Sequence, residues 1–291
     1  DRAAGERPPG AGQAGTGGGR LPVGGSAGEL WVMTGPALLV SVRDRDEVTA
    51  AAGGGAAIID VKDPAGGSLG RPAAETLAAC AAAVPRQLPW TLAAGELLEL
   101  PAATAGLLAR QLMGLERQPA AVKFGLSGSA GTDWLPSLAR MAAQLPVTVV
   151  PVAYADARRA AAVPVKEVID QAAGGGFELV LVDTFDKRAG GGLLELASVA
   201  EIRGWLAQAR AAGLGLLLAG RLELGQIPIV AGCQPDAVAV RSAVCRGGRL
   251  GRVDRERVAI AAEHCRRATS TAATLAGQSL LRSVLQKGVG G

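Results

Sequence analysis

Eight short apolar runs govern what this 291-residue chain can fold into. They fall at 37–42, 56–62, 88–93, 119–124, 146–153, 177–183, 214–219 and 236–241. Ala/Leu-rich segments with helical spacing lie between them, among them 72–84, 99–113, 132–144, 164–173, 195–212 and 254–268. The runs are continuously apolar rather than alternating, as expected of strands covered on both faces by helices. Eight βα units predict a single α/β domain, a closed (β/α)8 TIM-type barrel over 35–268. A doubly wound open sheet is the rival, but no GxGxxG follows the first run. Residues 1–34 are rich in Gly, Ala, Pro and Arg, too poor in large apolar residues to offset the entropy of ordering, and read as a disordered tail. Met33, just before the first run, reads as the natural start. Residues 269–291 read as a C-terminal helix or tail.

Composition sets the material and excludes several functions. Hydrophobic residues make up 49% of the chain and aromatic ones only 3%, so the core is built of Ala, Val, Leu and Ile. The four cysteines (Cys80, Cys233, Cys245, Cys265) show no CxxC spacing and read as reduced thiols, Cys245 as a packing residue. A single histidine, His264, argues against a His-based metal site or a His-driven triad. The net charge of +4 is mild, and six arginines crowd between Arg241 and Arg257 without a stacking platform for bases. No nucleic-acid partner is expected. No apolar stretch is long and uninterrupted enough to span a bilayer, and no signal-peptide pattern opens the chain. The expectation is a soluble, cytoplasmic protein without a membrane partner; a homo-oligomer is left open.

Lysine usage points to chemistry. Only five of the 30 basic residues are lysines, and three close apolar runs: Lys62 in IIDVK, Lys123 in AAVKFG and Lys187 in VLVDTFDK. Arginine serves equally well as a solvated cation, but only a desolvated lysine loses its proton and becomes a nucleophile. Asp60 and Lys62 are two apart on a strand and share a face, which a barrel turns inward near its C-terminal mouth. A structural ion pair is the plain alternative. The glycine-rich DPAGGSLG that follows is expected to bring backbone N–H groups to an anion. Asp183 ends the sixth run and can orient an ammonium; Asp186 beside Lys187 reads as a solvated loop charge, and Lys166 as solvated. Tyr154 and Asp156 stand at the mouth or in the loop after the fifth run. After the last two runs come LLLAGRL, with Gly220 and Arg221, and AVRSAVCRGGR, with Arg241, Gly247 and Gly248, where barrels often hold phosphate.

Taken together, DVKDPAGGSLG, VKFGL, YADA, DT-x-x-K, LAG-x-L and VR-x-AVC-x-GGR resemble one family across residues 37–265. It is the (5-formylfuran-3-yl)methyl phosphate synthases, barrel enzymes that begin the furan moiety of methanofuran in methanogens and of related cofactors in methylotrophic bacteria. The resemblance implies a lyase that condenses two molecules of glyceraldehyde 3-phosphate, a phosphorylated triose, into a furan aldehyde retaining one phosphate. It implies a Schiff base on Lys62, held and polarised by Asp60, with Lys123, Asp183 and Lys187 as acid–base candidates. Phosphate is expected at Gly220, Arg241, Gly247 and Gly248, with neither metal nor organic cofactor. Ser242 and the inserted Arg246 depart from the family pattern in the last loop. Another Schiff-base aldolase, or a non-catalytic phosphate-binding barrel, would also suit these residues.

Overall fold

The structure is a computed structural model that describes residues 35–101, 103–188, 191–268 and 280–286. The expectations for residues 1–34, including Met33 as the start, lie outside the described residues. Strands β1 (Ala37–Val42), β2 (Ile58–Val61), β3 (Trp90–Glu96), β4 (Ala121–Gly125), β5 (Thr148–Tyr154), β6 (Leu179–Asp183), β7 (Gly215–Leu218) and β8 (Ala237–Val240) close a barrel in chain order. Every neighbouring pair is parallel, and β8 returns to β1 through Ala37↔Ala237 and Val40↔Val240. The predicted (β/α)8 barrel is the fold.

The helices surround it: α1 (Arg45–Gly53), α2 (Ala74–Ala83), α3 (Thr104–Met113), α4 (Leu135–Gln144), α5 (Val165–Gly174), α6 (Leu193–Leu196), α7 (Val199–Ala211), α8 (Ile227–Ala231) and α9 (Arg255–Arg267). Helix α1 buries only Glu47, Val48 and Ala51. It is fixed at its start instead, where the Asp44 side chain accepts from the Glu47 N–H. A two-stranded hairpin, β9 (Cys245–Arg246) with β10 (Arg252–Val253), follows β8 and was not evident in the sequence.

Strand alternation divides the core in two. Leu38, Val40, Ile59, Val61, Val122, Val180 and Val182 face the helices. The interior holds Leu39, Ile58, Val150, Val152, Leu179, Leu181 and Leu217, interleaved with Ala37, Ala93, Ala121, Ala219, Ala237 and Ala239. Residues 280–286 are helical, and Leu281 and Val284 join this interior cluster. Apolar filling occupies the early positions of the strands, so the period of two carries the last inward positions to polar residues: Ile58 leads to Asp60 and Lys62, Ala121 to Lys123, and Leu181 to Asp183. No described helix is long and apolar enough to cross a membrane.

Candidate active site

The C-terminal ends of the strands surround a cleft of about 520 Å³, part of it open to solvent. Asp60, Lys62, Lys123, Asp183, Lys187, Gly220, Arg221, Arg241, Ser242 and Arg249 are among its lining residues. The five charged residues singled out at strand ends therefore converge.

Asp60 is 1% exposed and saturated with donors. One carboxylate oxygen accepts from Lys123 Nζ at 2.5 Å and from Thr91 Oγ1 at 2.8 Å; the other accepts from Ser41 Oγ at 2.9 Å. The strands set this cluster directly, since Ser41, Asp60 and Thr91 occupy one register row across β1, β2 and β3. On the other side of the cleft, Asp183 accepts from Lys187 Nζ at 2.7 Å, from the Thr184 N–H at 2.7 Å and from Ser68 Oγ at 3.0 Å. Burial alone would raise the Asp183 carboxyl. The Lys187 and Lys62 ammonium groups and the Lys187 and Thr184 hydrogen bonds override burial and hold it at about 2.

Lys62 stands between these two pairs and belongs to neither. Its backbone N–H continues the ladder to Val42 O, and its Nζ donates to the Ser68 carbonyl at 3.2 Å. Among the described residues it makes no ion pair, whereas Lys123 and Lys187 each make one. Burial pulls its amine down to about 7; Asp183 and Asp60 pull the other way, and the Lys187 and Arg249 charges add to the lowering. Burial also lowers Lys187, but Asp183 at 2.7 Å opposes it. A substantial fraction of Lys62 is thus an unprotonated amine near neutrality, which attack on a carbonyl requires.

The loop after β2 turns carbonyls toward the cations of the cleft: Ser68 O to Lys62 and Gly67 O to Arg249. Backbone N–H groups facing an anion were the expectation for this loop. The loop folds back at Asp63 N–H to Gly70 O, and a Cβ on Gly70 would lie 2.1 Å from Asp63 O, so only glycine fits there.

A family model described as 4-HFC-P synthase matches residues 38–262. The chain belongs to this family. The (5-formylfuran-3-yl)methyl phosphate synthase of Methanocaldococcus jannaschii is 32% identical over 238 residues, 79% of this chain and 99% of that protein. A Methylorubrum extorquens protein, provisionally named for the same activity, is 35% identical over 234 residues, 79% of this chain and 92% of its own. Among solved structures, the phosphoribosyl anthranilate isomerase of Thermotoga maritima aligns with a TM-score of 0.58 at 13% identity, over 79% of this chain and 98% of that one; this likeness concerns the barrel alone.

Several neighbours of the charged residues differ from what the sequence led us to expect. The guanidinium of Arg241 has all five donors engaged: with Glu47 at 2.8 and 3.3 Å and with the carbonyls of Ser41, Arg249 and Gly251. It braces the last loop rather than presenting free donors to a phosphate. Gly247 and Gly248, both at positive φ, shape the β9–β10 turn and are not among the cleft's lining residues. Gly220 does line it; at φ 122° a Cβ there would lie 2.8 Å from Thr184 Cγ2. Of the other cleft arginines, Arg221 was named from the sequence beside Gly220, whereas Arg249 was noted only as the end of the arginine-rich run. Arg249 follows directly on the glycine pair, which was the available signal. Tyr154 and Asp156 do not line the mouth. Asp156 accepts from the Phe185 and Asp186 N–H groups and so fixes the loop after β6. Tyr154 is fully buried and donates to Glu96 Oε1 at 2.5 Å. Cys245 is buried and Lys166 exposed, as expected. No group of three or more His, Cys, Asp or Glu among the described residues is arranged to hold a metal ion.

Proposed function

We propose that this protein condenses two molecules of glyceraldehyde 3-phosphate into (5-formylfuran-3-yl)methyl phosphate through a Schiff base on Lys62. The observation that carries the reading is the state of that amine: buried, outside both ion pairs and drawn down to about 7. The name of the Methanocaldococcus relative supports the product. Atom balance requires loss of one phosphate and two waters from two trioses.

Neutral Lys62 attacks the aldehyde carbon of one triose, and expulsion of water leaves an iminium. The iminium acidifies the adjacent C–H, and the carbanion so stabilised forms the bond to the second triose. Asp60, held by Ser41, Thr91 and Lys123, fixes a negative charge beside the iminium. Ring closure and the later eliminations need groups that take and return protons. The Asp183–Lys187 pair stands across the cleft from Asp60 with one carboxylate and one ammonium for that work. Arg249 and Arg221 give the mouth the positive charge that two phosphorylated substrates call for.

Incubation of the purified protein with glyceraldehyde 3-phosphate alone tests this. The expected result is release of phosphate and a conjugated furan aldehyde, identified by mass and ultraviolet absorbance. Borohydride should trap a triose on Lys62, and Lys62→Arg should remain folded while losing both adduct and product. A trapped adduct without furan would make the protein another Schiff-base aldolase. Normal turnover by Lys62→Arg would remove the Schiff base from the reading.

A further inference from the structure

The helical residues 280–286 bury Leu281 and Val284 to 3% and 0% exposure, with Leu285 half-buried beside them. Spacings of three and four put these side chains on one face of the helix. Ser283 and Gln286 are exposed on the opposite side. The apolar face belongs to the cluster that fills the barrel, not to the one between strands and surrounding helices. The segment also lies beyond residues 38–262, the part shared with the family.

Closure of the sheet fixes where the helix enters. Eight strands paired all round leave access to the interior only through the two ends. The C-terminal end holds the cleft, and no residue of 280–286 is among its lining residues. The opposite end is where the chain stands when α9 finishes. The Ala268 carbonyl accepts from Gln234 Nε2 at 3.5 Å, shortly before β8, and a Cβ on Gly35, shortly before β1, would lie 2.6 Å from the same oxygen. That end has room for it. Strands β1, β4 and β8 open on the inward residues Ala37, Ala121 and Ala237. Barrel interiors are ordinarily filled to crystal-like density by bulky branched side chains. Alanines at the C-terminal end make space for the cleft, which Ala93, Ala219 and Ala239 line. Alanines at the other end leave volume that the strands do not fill, and Leu281 and Val284 fill it.

We infer that residues 280–286 are a plug, docked inside the N-terminal end of the barrel and closing it. The occupant of that end is the chain's own helix. Leu69, Ala93, Leu181, Ala219 and Ala239 belong both to the plugged cluster and to the lining of the cleft. One apolar column therefore runs from the plug to the cleft, and the plug is its lower support. The inference stands apart from the proposed condensation and holds whatever reaction the cleft performs.

The test is a set of size exchanges in the full chain, read by urea unfolding. Leu281→Ala is expected to lower the folding equilibrium constant by about thirtyfold or more, the scale for truncating a buried leucine. Ser283→Ala, on the exposed side, should leave it within about twofold. Ala37→Leu and Ala237→Leu should each destabilise the otherwise wild-type chain, whose interior is full. Joined to Leu281→Ala, the same enlargements should stabilise, because the added carbons refill the space that the helix gave up. A helix lying on the outside of the barrel gives the same loss in both backgrounds. That result at both alanines would overturn the plug, as would an effect of Leu281→Ala no larger than that of Ser283→Ala. Trypsin gives a reading that needs no enlarged side chain. The Arg282–Ser283 bond should resist cleavage in the native protein and lose that protection in Leu281→Asp. Cleavage of wild type there as fast as of Leu281→Asp would also overturn the docking.

Discussion

Three lysines reach one cleft in different electrostatic states, and the difference lies in their partners rather than their depth. Lys62, Lys123 and Lys187 are all largely buried, but the latter two have carboxylates at 2.5 and 2.7 Å while Lys62 has a carbonyl. Sequence showed that each ends an apolar run; it did not show which lacked a counter-charge, because Asp60 lies two residues from Lys62 yet bonds Lys123, 63 residues away. The state of Lys62 has a consequence for stability. Its folded value, about 7, is below the ordinary 10.5, so between those limits the unfolded chain binds the extra proton and stability rises with pH. Below about 7 the full cost of the buried amine is felt. Lys62→Met should therefore raise the melting temperature most near about pH 6, with the gain shrinking toward about pH 10. Thermal unfolding of both proteins across that range checks this, and a pH-independent difference would contradict it. By the same protonation, the rate of triose trapping on wild type should rise through about pH 7 and then level off.

At the scale of elements, the connection from β8 to α9 shows why the surroundings of Arg241 could not be read from the sequence. An arginine after the last strand of a barrel looks like a phosphate ligand. Its partner, Glu47, is 194 residues earlier on α1, and no local pattern links the two. The pair is nearly inaccessible, at 2% and 1% side-chain exposure, and it ties the first βα unit to the last. Removing one partner leaves the other charge buried, which costs about 3–5 kcal/mol. Arg241→Met is thus expected to lower stability by that amount in urea unfolding. Because Arg241 also holds the Arg249 carbonyl, the variant should raise KM for the triose as Arg249 loses its place. A loss of activity without a loss of stability would instead make Arg241 a direct ligand.

The whole molecule was the most legible scale. Strand β1 coincides with its predicted run, and the others begin and end within a few residues of theirs, because burial on both faces writes strands as unbroken apolar text. Closure followed from their number. The polar layer was harder to read, since Ser41, Thr91, Ser68 and Glu96 are ordinary residues until neighbouring strands bring them together. The same architecture gathers charge at one end. Lys123 and Lys187 are neutralised within the cleft, and Arg241 by Glu47 beneath it, which leaves Arg221, Arg249 and the protonated fraction of Lys62 to attract an anion. Arg221 is exposed at the rim, and burial lowers Arg249 without a carboxylate ion-paired to it among the described residues. Such a mouth concentrates phosphorylated substrate by long-range attraction, which salt screens over about 8–10 Å. The value of kcat/KM for the triose phosphate should therefore fall as sodium chloride is added, chiefly through KM. Arg221→Gln should lower kcat/KM at low salt and flatten the salt dependence, with the trapped adduct still forming at saturating substrate. A wild-type kcat/KM indifferent to salt would mean that short-range contacts inside the cleft, rather than its field, select the phosphorylated triose.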